Sequence, residues 1–254
     1  MRLILASCYL MCFILVALSS SAQDNSKVLI AAASDLKYAL DSVVTFFKKY
    51  HPQANIEVTY GSTGKLFEQI QHSAPFDMFF SADIEYPKQL KAKKIASSDV
   101  FPYAIGRIVI WSKKIDPNVN KMNSLTDKSI NKIAIANPLH APYGKRAEES
   151  LKYYKLLDVV TPKLVYGENI SQTAQFVTTG AADIGIVALS LALSPAMKLE
   201  GGKYYIIPQS SHKPLEQGFV ILNHGSKNVD AVSFKDFMLT SGAKSILNYY
   251  GFTH

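Results

Sequence analysis

Cysteine is nearly absent: the 254 residues hold two, Cys8 and Cys12, both close to the start. A disulfide framework, a cysteine nucleophile and a thiolate-bound metal are thereby excluded from everything after residue 12. Long apolar runs are missing beyond the first two dozen residues, and none there approaches the ~20 residues that a spanning helix needs. Basic runs are short, Lys48-Lys49 and Lys91 to Lys94, with no arginine-rich tract and no RNA-binding aromatic signature, so nucleic acid is not the partner. The sequence carries no His-Glu-x-x-His, no Gly-x-Ser-x-Gly and no Walker-type phosphate loop. Its six histidines, His51, His72, His140, His212, His224 and His254, are scattered and form no metal-binding spacing.

The beginning of the chain is distinctive. Met1-Arg2 is followed by an apolar run from Leu3 to Leu18 and then by Ser19-Ser20-Ser21-Ala22. A basic start, a short apolar stretch and small residues before Gln23 predict a secretory signal peptide over residues 1–22, cleaved near Ala22. Leu5-Ala6-Ser7-Cys8 resembles a lipoprotein box but precedes most of the apolar run, the wrong order for that processing. Loss of the leader removes one positive charge (Arg2) and no acid, taking the net charge from +7 to +6. Such a surface is solubilising and also attracts anions.

After the leader, short apolar runs alternate with amphipathic helices. Lys27 to Ala33 reads as a buried strand, and Leu36, Leu40, Val43, Val44 and Phe47 then recur at helical spacing until His51-Pro52. Strands are expected at Asn55 to Tyr60 and Phe76 to Ser81, each followed by a helix. From about Ile105 the pattern restarts, with strands at Ile108 to Trp111, Lys132 to Ala136, Lys163 to Tyr166 and Asp183 to Val187. Helices fall over Pro142 to Tyr154 and Asn169 to Thr179; strands at Lys203 to Pro208 and Gln217 to Leu222 precede two closing helices. Repeated β-α alternation implies parallel sheets flanked by helices. With no Pro/Gly-rich linker, two α/β lobes joined by crossing strands are expected, with a ligand cleft at the join. The expected division is 23–104 with 223–254 as the first lobe and 105–222 as the second.

Four segments share one arrangement, in which a strand ends, a small or polar turn follows and a helix begins. They are Ala31-Ala32-Ala33-Ser34-Asp35, Tyr60-Gly61-Ser62-Thr63-Gly64-Lys65, Ala141-Pro142-Tyr143-Gly144 and Gly167-Glu168-Asn169-Ile170-Ser171, two from each lobe. A helix start leaves unpaired N–H groups and a partial positive charge, which seats an anion. Hydrogen bonds to a charged group contribute about 1.5–3 kcal/mol each. Micromolar to nanomolar affinity needs about 8–12 kcal/mol, so roughly six neutral donors suffice without a lysine. Each loop alone is ordinary: Ser34 reads as a helix cap, Gly61 to Gly64 as a turn, Tyr143 as a packed aromatic and Ile170 as a core residue. Their combination and order carry the reading. Asp35 is expected to cap its helix and point away from the anion, Asp77 and Asp83 read as loop and cap residues, and His140 as a structural hydrogen-bonder. Lys37, Lys65 and Lys145 fall in first helical turns and are either simply solvated or raise the positive potential at the cleft mouth.

These segments resemble the periplasmic molybdate-binding family. The resemblance rests on Ala31-Ala32-Ala33-Ser34, Gly61-Ser62-Thr63-Gly64-Lys65-Leu66, Ala74-Pro75-Phe76-Asp77 and Phe80-Ser81-Ala82-Asp83. It continues through Asn137-Pro138-Leu139-His140-Ala141-Pro142-Tyr143-Gly144, Gly185-Ile186-Val187 and Tyr250-Gly251-Phe252, covering nearly all of the mature chain. It implies a two-lobed type II periplasmic-binding-protein fold, each lobe a mainly parallel sheet flanked by helices, closing over an oxyanion in the interlobe cleft. The implied ligand is molybdate or tungstate, held as the oxyanion with no direct metal ligand and no cofactor. The implied protein is a periplasmic monomer, not an enzyme, whose partner is the membrane permease of an ABC importer. By position, Ser34 and Thr63 would donate hydroxyl and backbone N–H groups, with Ser62 the alternative to Thr63 one residue earlier, and Tyr143 and Ile170 would donate backbone N–H groups. Where some members carry a ligand tyrosine after Gly-Ile-Val, this chain has Ala188, and the Tyr143 hydroxyl is the expected substitute. The alternatives are a sulfate or phosphate binder and, in another class, a secreted hydrolase with Ser34 or Ser62 as nucleophile, which would require a histidine base within reach.

Overall fold

Strand β1 (Val28–Ala33, Val-Leu-Ile-Ala-Ala-Ala) is buried at five of its six residues, as expected for a central strand covered on both faces. The computed structural model describes residues 27–254, so the expected leader, its cleavage site and both cysteines lie outside the described residues. β1 pairs in parallel with β2 (Ile56–Gly61) on one side and β3 (Met78–Ser81) on the other. Beyond β3 lie β10 (Leu215–Ile221), antiparallel, and then β4 (Phe101–Gly106) at the edge. The second sheet has the order β7 (Leu164–Gly167), β6 (Ile133–Ala136), β8 (Ile184–Ala188), β5 (Ile108–Ser112), β9 (Lys203–Ile206). There β5 alone runs against its neighbours β8 and β9.

Helices cover both faces of the first sheet. Helix Lys37–Lys48 buries Leu40, Val43, Val44 and Phe47, the periodic residues of the sequence, against the closing helices Val229–Met238 and Ser241–Tyr249. On the opposite face Leu66, Phe67 and Ile70 of helix Thr63–Gln71 pack with Leu90 over Phe79 and Val220. A separate cluster around Trp111, Ile133, Ile135, Ile184 and Ile186 forms the core of the second sheet. The architecture is a two-lobed α/β fold, and among the described residues no helix is long and apolar enough to cross a membrane.

Two details differ from the sequence reading. Phe101–Gly106 is a strand, although Pro102 argues against one; its place at a sheet edge tolerates the missing N–H. Leu215–Ile221, assigned from sequence to the second lobe, is built into the first sheet, where Phe219 stacks on Phe80 with ring centroids 4.7 Å apart. Strand periodicity reveals that a segment is extended, and says nothing of which sheet receives it. The first sheet therefore draws its strands from 28–106 and 215–221, and the second from 108–206.

Only Arg107 separates β4 from β5, and residues 207–214 return the chain from β9 to β10. The crossings lie side by side: the Ile207 N–H donates to the Ile108 carbonyl at 3.1 Å, and Leu215 pairs with Gly106. Gly106 cannot carry a side chain here, because a Cβ would run into the Tyr143 hydroxyl and the Gln217 amide. Gly106→Ala is expected to lower the unfolding free energy by about 1–3 kcal/mol, the usual cost of overpacking, as read from urea denaturation; an unchanged midpoint would show that the crossing has slack.

Candidate functional site

Parallel strands deliver the helices that follow them to one sheet edge, the ends of β1, β2 and β3 in one lobe and of β6, β7 and β8 in the other. The structure brings the five sequence-predicted residues to the place where these edges meet, and all are buried: Ser34, Ser62, Thr63, Tyr143 and Ile170 are each no more than 5% exposed.

Ser34 opens a short 3-10 turn, Ser34–Leu36, that runs directly into helix Lys37–Lys48. Its hydroxyl donates to Asn169 Oδ1 at 3.1 Å and accepts from the Ser171 N–H at 3.3 Å, while the Ser171 hydroxyl donates to the Ser34 carbonyl at 2.8 Å. Asn169 is the N-cap of helix Ile170–Thr178, its Oδ1 accepting from the Gln172 N–H. Ile170 thus sits in the first turn of a helix held against Ser34. Across the cleft, Ser62 is the N-cap of helix Thr63–Gln71 but does not cap it with its side chain. The hydroxyl instead bonds to Nδ1 of His140 at 3.0 Å, and the Gly64 N–H donates to the His140 carbonyl at 2.9 Å. His140 is therefore the structural hydrogen-bonder expected of it. The Thr63 hydroxyl accepts from the Ala82 N–H at 3.1 Å, tying the end of β3 to this helix start and leaving its own proton to give. Helix Pro142–Tyr153 begins after Ala141, which has no capping group, so its start and that of Thr63–Gln71 both lack a side-chain cap.

Two expectations are corrected here. Asp35 does not cap a helix: the N-cap of its turn is Ala33, so Asp35 falls inside the turn, where it is 1% exposed. Its Oδ2 accepts from the Tyr143 hydroxyl at 2.9 Å and from Gln217 Nε2 at 2.8 Å, while Oδ1 is buried without a partner. Burial pushes the carboxyl up to about 6, against the pull of the Gln217 and Tyr143 hydrogen bonds. The Tyr143 hydroxyl is accordingly occupied by Asp35 rather than standing in for the tyrosine replaced by Ala188, a fully buried residue at the end of β8. Gln217 and Tyr103, whose hydroxyl donates to Gln217 Oε1 at 2.6 Å, complete this cluster, and sequence reading named neither. The available signal was a glutamine directly before the apolar run Gly218 to Ile221, at a position where period-2 alternation with exposed Glu216 places it inward.

At the rim the half-exposed Lys65 and Glu168 lie 3.9 Å apart, Lys37 is exposed on a cleft of about 530 Å³ that Asn169, Ser171 and Gln172 also line, and Arg146 reaches Asp83 at 3.8 Å. Asp83 also accepts from the Glu85 N–H in the turn that leads into helix Glu85–Ala92, whose N-cap position is Ile84 without a side-chain cap, whereas Asp77 meets Leu29 at the opposite end of β1 and pairs with His224. Among the described residues no lysine or arginine bonds to the hydroxyls of Ser34, Ser62 or Thr63, whose partners are the Asn169 amide, the His140 ring and backbone N–H groups. A Cβ on Gly64 would lie 2.8 Å from the His140 carbonyl. Gly64→Ala is expected to hold the lobes apart at this point, giving a larger radius of gyration by small-angle scattering with secondary structure intact; equal radii would mean that the contact does not govern closure.

Comparisons with known proteins agree with this geometry. The family described as bacterial extracellular solute-binding protein matches residues 28–253. A Rhodobacter capsulatus molybdate-binding protein is 35% identical over 200 residues, covering 78% of this chain and 77% of its own, and one from Azotobacter vinelandii is 32% identical over 236 residues, covering 92% and 93%. The solved structure of an Azotobacter vinelandii periplasmic molybdate-binding protein superposes with a TM-score of 0.83 at 30% identity, over 89% of this chain and 99% of that one. Taken with the two lobes and the cleft of helix starts between them, the match across the whole described region places this chain in the bacterial extracellular solute-binding protein family.

Proposed function

We propose that the protein captures molybdate, or its near-isosteric counterpart tungstate, between its lobes and hands it to the permease of an ABC importer. The observation that carries this reading is the meeting of helix starts from both lobes around buried Ser34, Thr63, Tyr143 and Ile170. Each start offers N–H groups carrying partial positive charge, and Ser34 and Thr63 add hydroxyls. A tetrahedral dianion presents four oxygens, each able to accept more than one such bond. The likeness to molybdate-binding proteins supplies the choice of ion. A donor set made of neutral groups stabilises charge without bringing a counter-charge that must be desolvated with it. The chain acts as a binding protein rather than an enzyme, as a monomer in the periplasm, with residues 1–22 serving as the export leader. Ser62, one residue before Thr63, is the alternative contact on that helix start, and its hydroxyl bonds to His140.

Titration calorimetry with molybdate, tungstate, sulfate and phosphate tests the reading, with submicromolar binding expected for the first two. Ser34→Ala combined with Thr63→Ala removes two charge-assisted hydroxyl donors and is expected to weaken molybdate binding by roughly a hundredfold or more. Full retention would remove both residues from the site. Lys65, exposed at the rim, is expected to steer the anion inward. Lys65→Gln should slow association in stopped-flow mixing and flatten its salt dependence while leaving dissociation nearly unchanged; an unaltered association rate would make Lys65 a bystander.

A further inference from the structure

Asp35 is a carboxylate at a moving boundary. It belongs to the first lobe, and among the described residues the hydrogen bond its side chain takes from the second lobe is that of Tyr143. Tyr103 on β4 and Gln217 on β10 face it from its own lobe, and Ser190, from helix Leu189–Ala192, takes its backbone carbonyl at 2.8 Å. The neighbouring helix Ile170–Thr178 presents Ser171 and its cap Asn169, both uncharged. The ionisable groups that face the carboxyl are thus two tyrosines, both held well above their ordinary range by burial, and neither brings positive charge. Lys37 projects into solvent, the buried Arg107 Nε at the crossing is without a partner, and among the described residues no lysine or arginine hydrogen-bonds to the Asp35 carboxylate. With two donors on Oδ2 and none on Oδ1, an ionised Asp35 is poorly solvated when the lobes are together. Parting of the lobes would take Tyr143 off Oδ2 and open that side of the carboxylate to water.

We propose that Asp35 is a proton-linked latch: ionised and hydrated while the lobes are apart, it takes up a proton from solvent as closure brings Tyr143 over it, so that capture of the oxyanion draws a proton in. This rests on reading the cleft as the oxyanion site. A dianion bound beside Ser34 pushes in the same direction, because two nearby negative charges disfavour a third. The closed state holds the proton more tightly than the open one, so closure strengthens as the pH falls through about 6 and is insensitive to pH well above it. Asp35 is a positioning residue here, acting through Tyr143 in the first turn of helix Pro142–Tyr153.

The test is calorimetric titration of the purified protein with micromolar molybdate at pH 5.5 and pH 8, repeated near pH 6 in two buffers of different ionisation enthalpy. Binding is expected to be at least about fourfold tighter at pH 5.5, with net proton uptake. Asp35→Asn, which mimics the protonated form, should abolish both effects. Equal affinities with no proton exchange in the unaltered protein would overturn the latch, as would a full pH effect persisting in Asp35→Asn, which would place its source elsewhere along the interlobe contacts. If Asp35→Asn does not fold, Tyr143→Phe serves instead. With one donor fewer to the carboxylate, it should lose more affinity at pH 8 than at pH 5.5, and an equal loss at both overturns the proposal. Absence of molybdate binding at every pH would sink the function proposed above, and the latch is then decided by scattering without ligand. Compaction between pH 8 and pH 5.5 that Asp35→Asn lacks supports it, and an unchanged radius ends it.

Discussion

A strand that enters a parallel sheet must hand the chain to a helix at the same edge as its neighbours, and this constraint organises the molecule. β1, β2 and β3 deliver Ser34, Thr63 and the start of helix Glu85–Ala92 to one edge; β6, β7 and β8 deliver Tyr143, Ile170 and the start of helix Leu189–Ala192 to another. Each edge alone is a row of helix starts with electrostatic character but no enclosure. Facing each other, they bury Ser34, Thr63, Tyr143 and Ile170, in surroundings where hydrogen bonds are stronger than in solution. Recognition here follows from topology first and from particular side chains second.

The contacts that meet at the helix starts are polar. Ser34 with Asn169 and Ser171, Ser62 and Gly64 with His140, and Tyr143 with Asp35 are all hydrogen-bonded contacts that water could replace. The apolar clusters, by contrast, divide largely by lobe. A seam of exchangeable hydrogen bonds contributes little net free energy, since each is traded for one to solvent. Closure is therefore finely balanced, and a dianion that adds several charge-assisted bonds at once can decide it. An apolar seam would stay shut irrespective of cargo.

Much of this was legible in the sequence because its determinants are local. Apolar runs marked β1, β5, β6 and β8, the heptad-like spacing from Leu36 to Phe47 marked the first long helix, and small residues between strand and helix marked the four loops. What escaped was non-local or depended on register. Pro102 disguised β4, whose edge position makes proline acceptable. β10 was recognised as extended but placed in the wrong sheet, because its partner Phe80 lies 139 positions earlier and periodicity carries no address. Asp35 misled by its offset: two positions earlier, at Ala33, it would have stood at the cap of the turn, whereas inside the turn its carboxylate faces Tyr143 and Gln217. The bond between Ser34 and Asn169 spans 135 positions, a juxtaposition that no window along the chain contains.

The passage from β4 to β5 through one residue has a mechanical consequence. Residues paired into sheets on both sides of Arg107 cannot slide, so relative movement of the halves is confined to rotation about a fulcrum set by this passage and the return segment beside it. The loops at the cleft lie close to that fulcrum, since Tyr143 touches Gly106 itself. Outer surfaces lie farther away and sweep through a longer arc for the same angle. A displacement too small to notice around a bound ion is thereby amplified at the periphery, where a body spanning both halves could gauge the presence of cargo from the separation of two distant points.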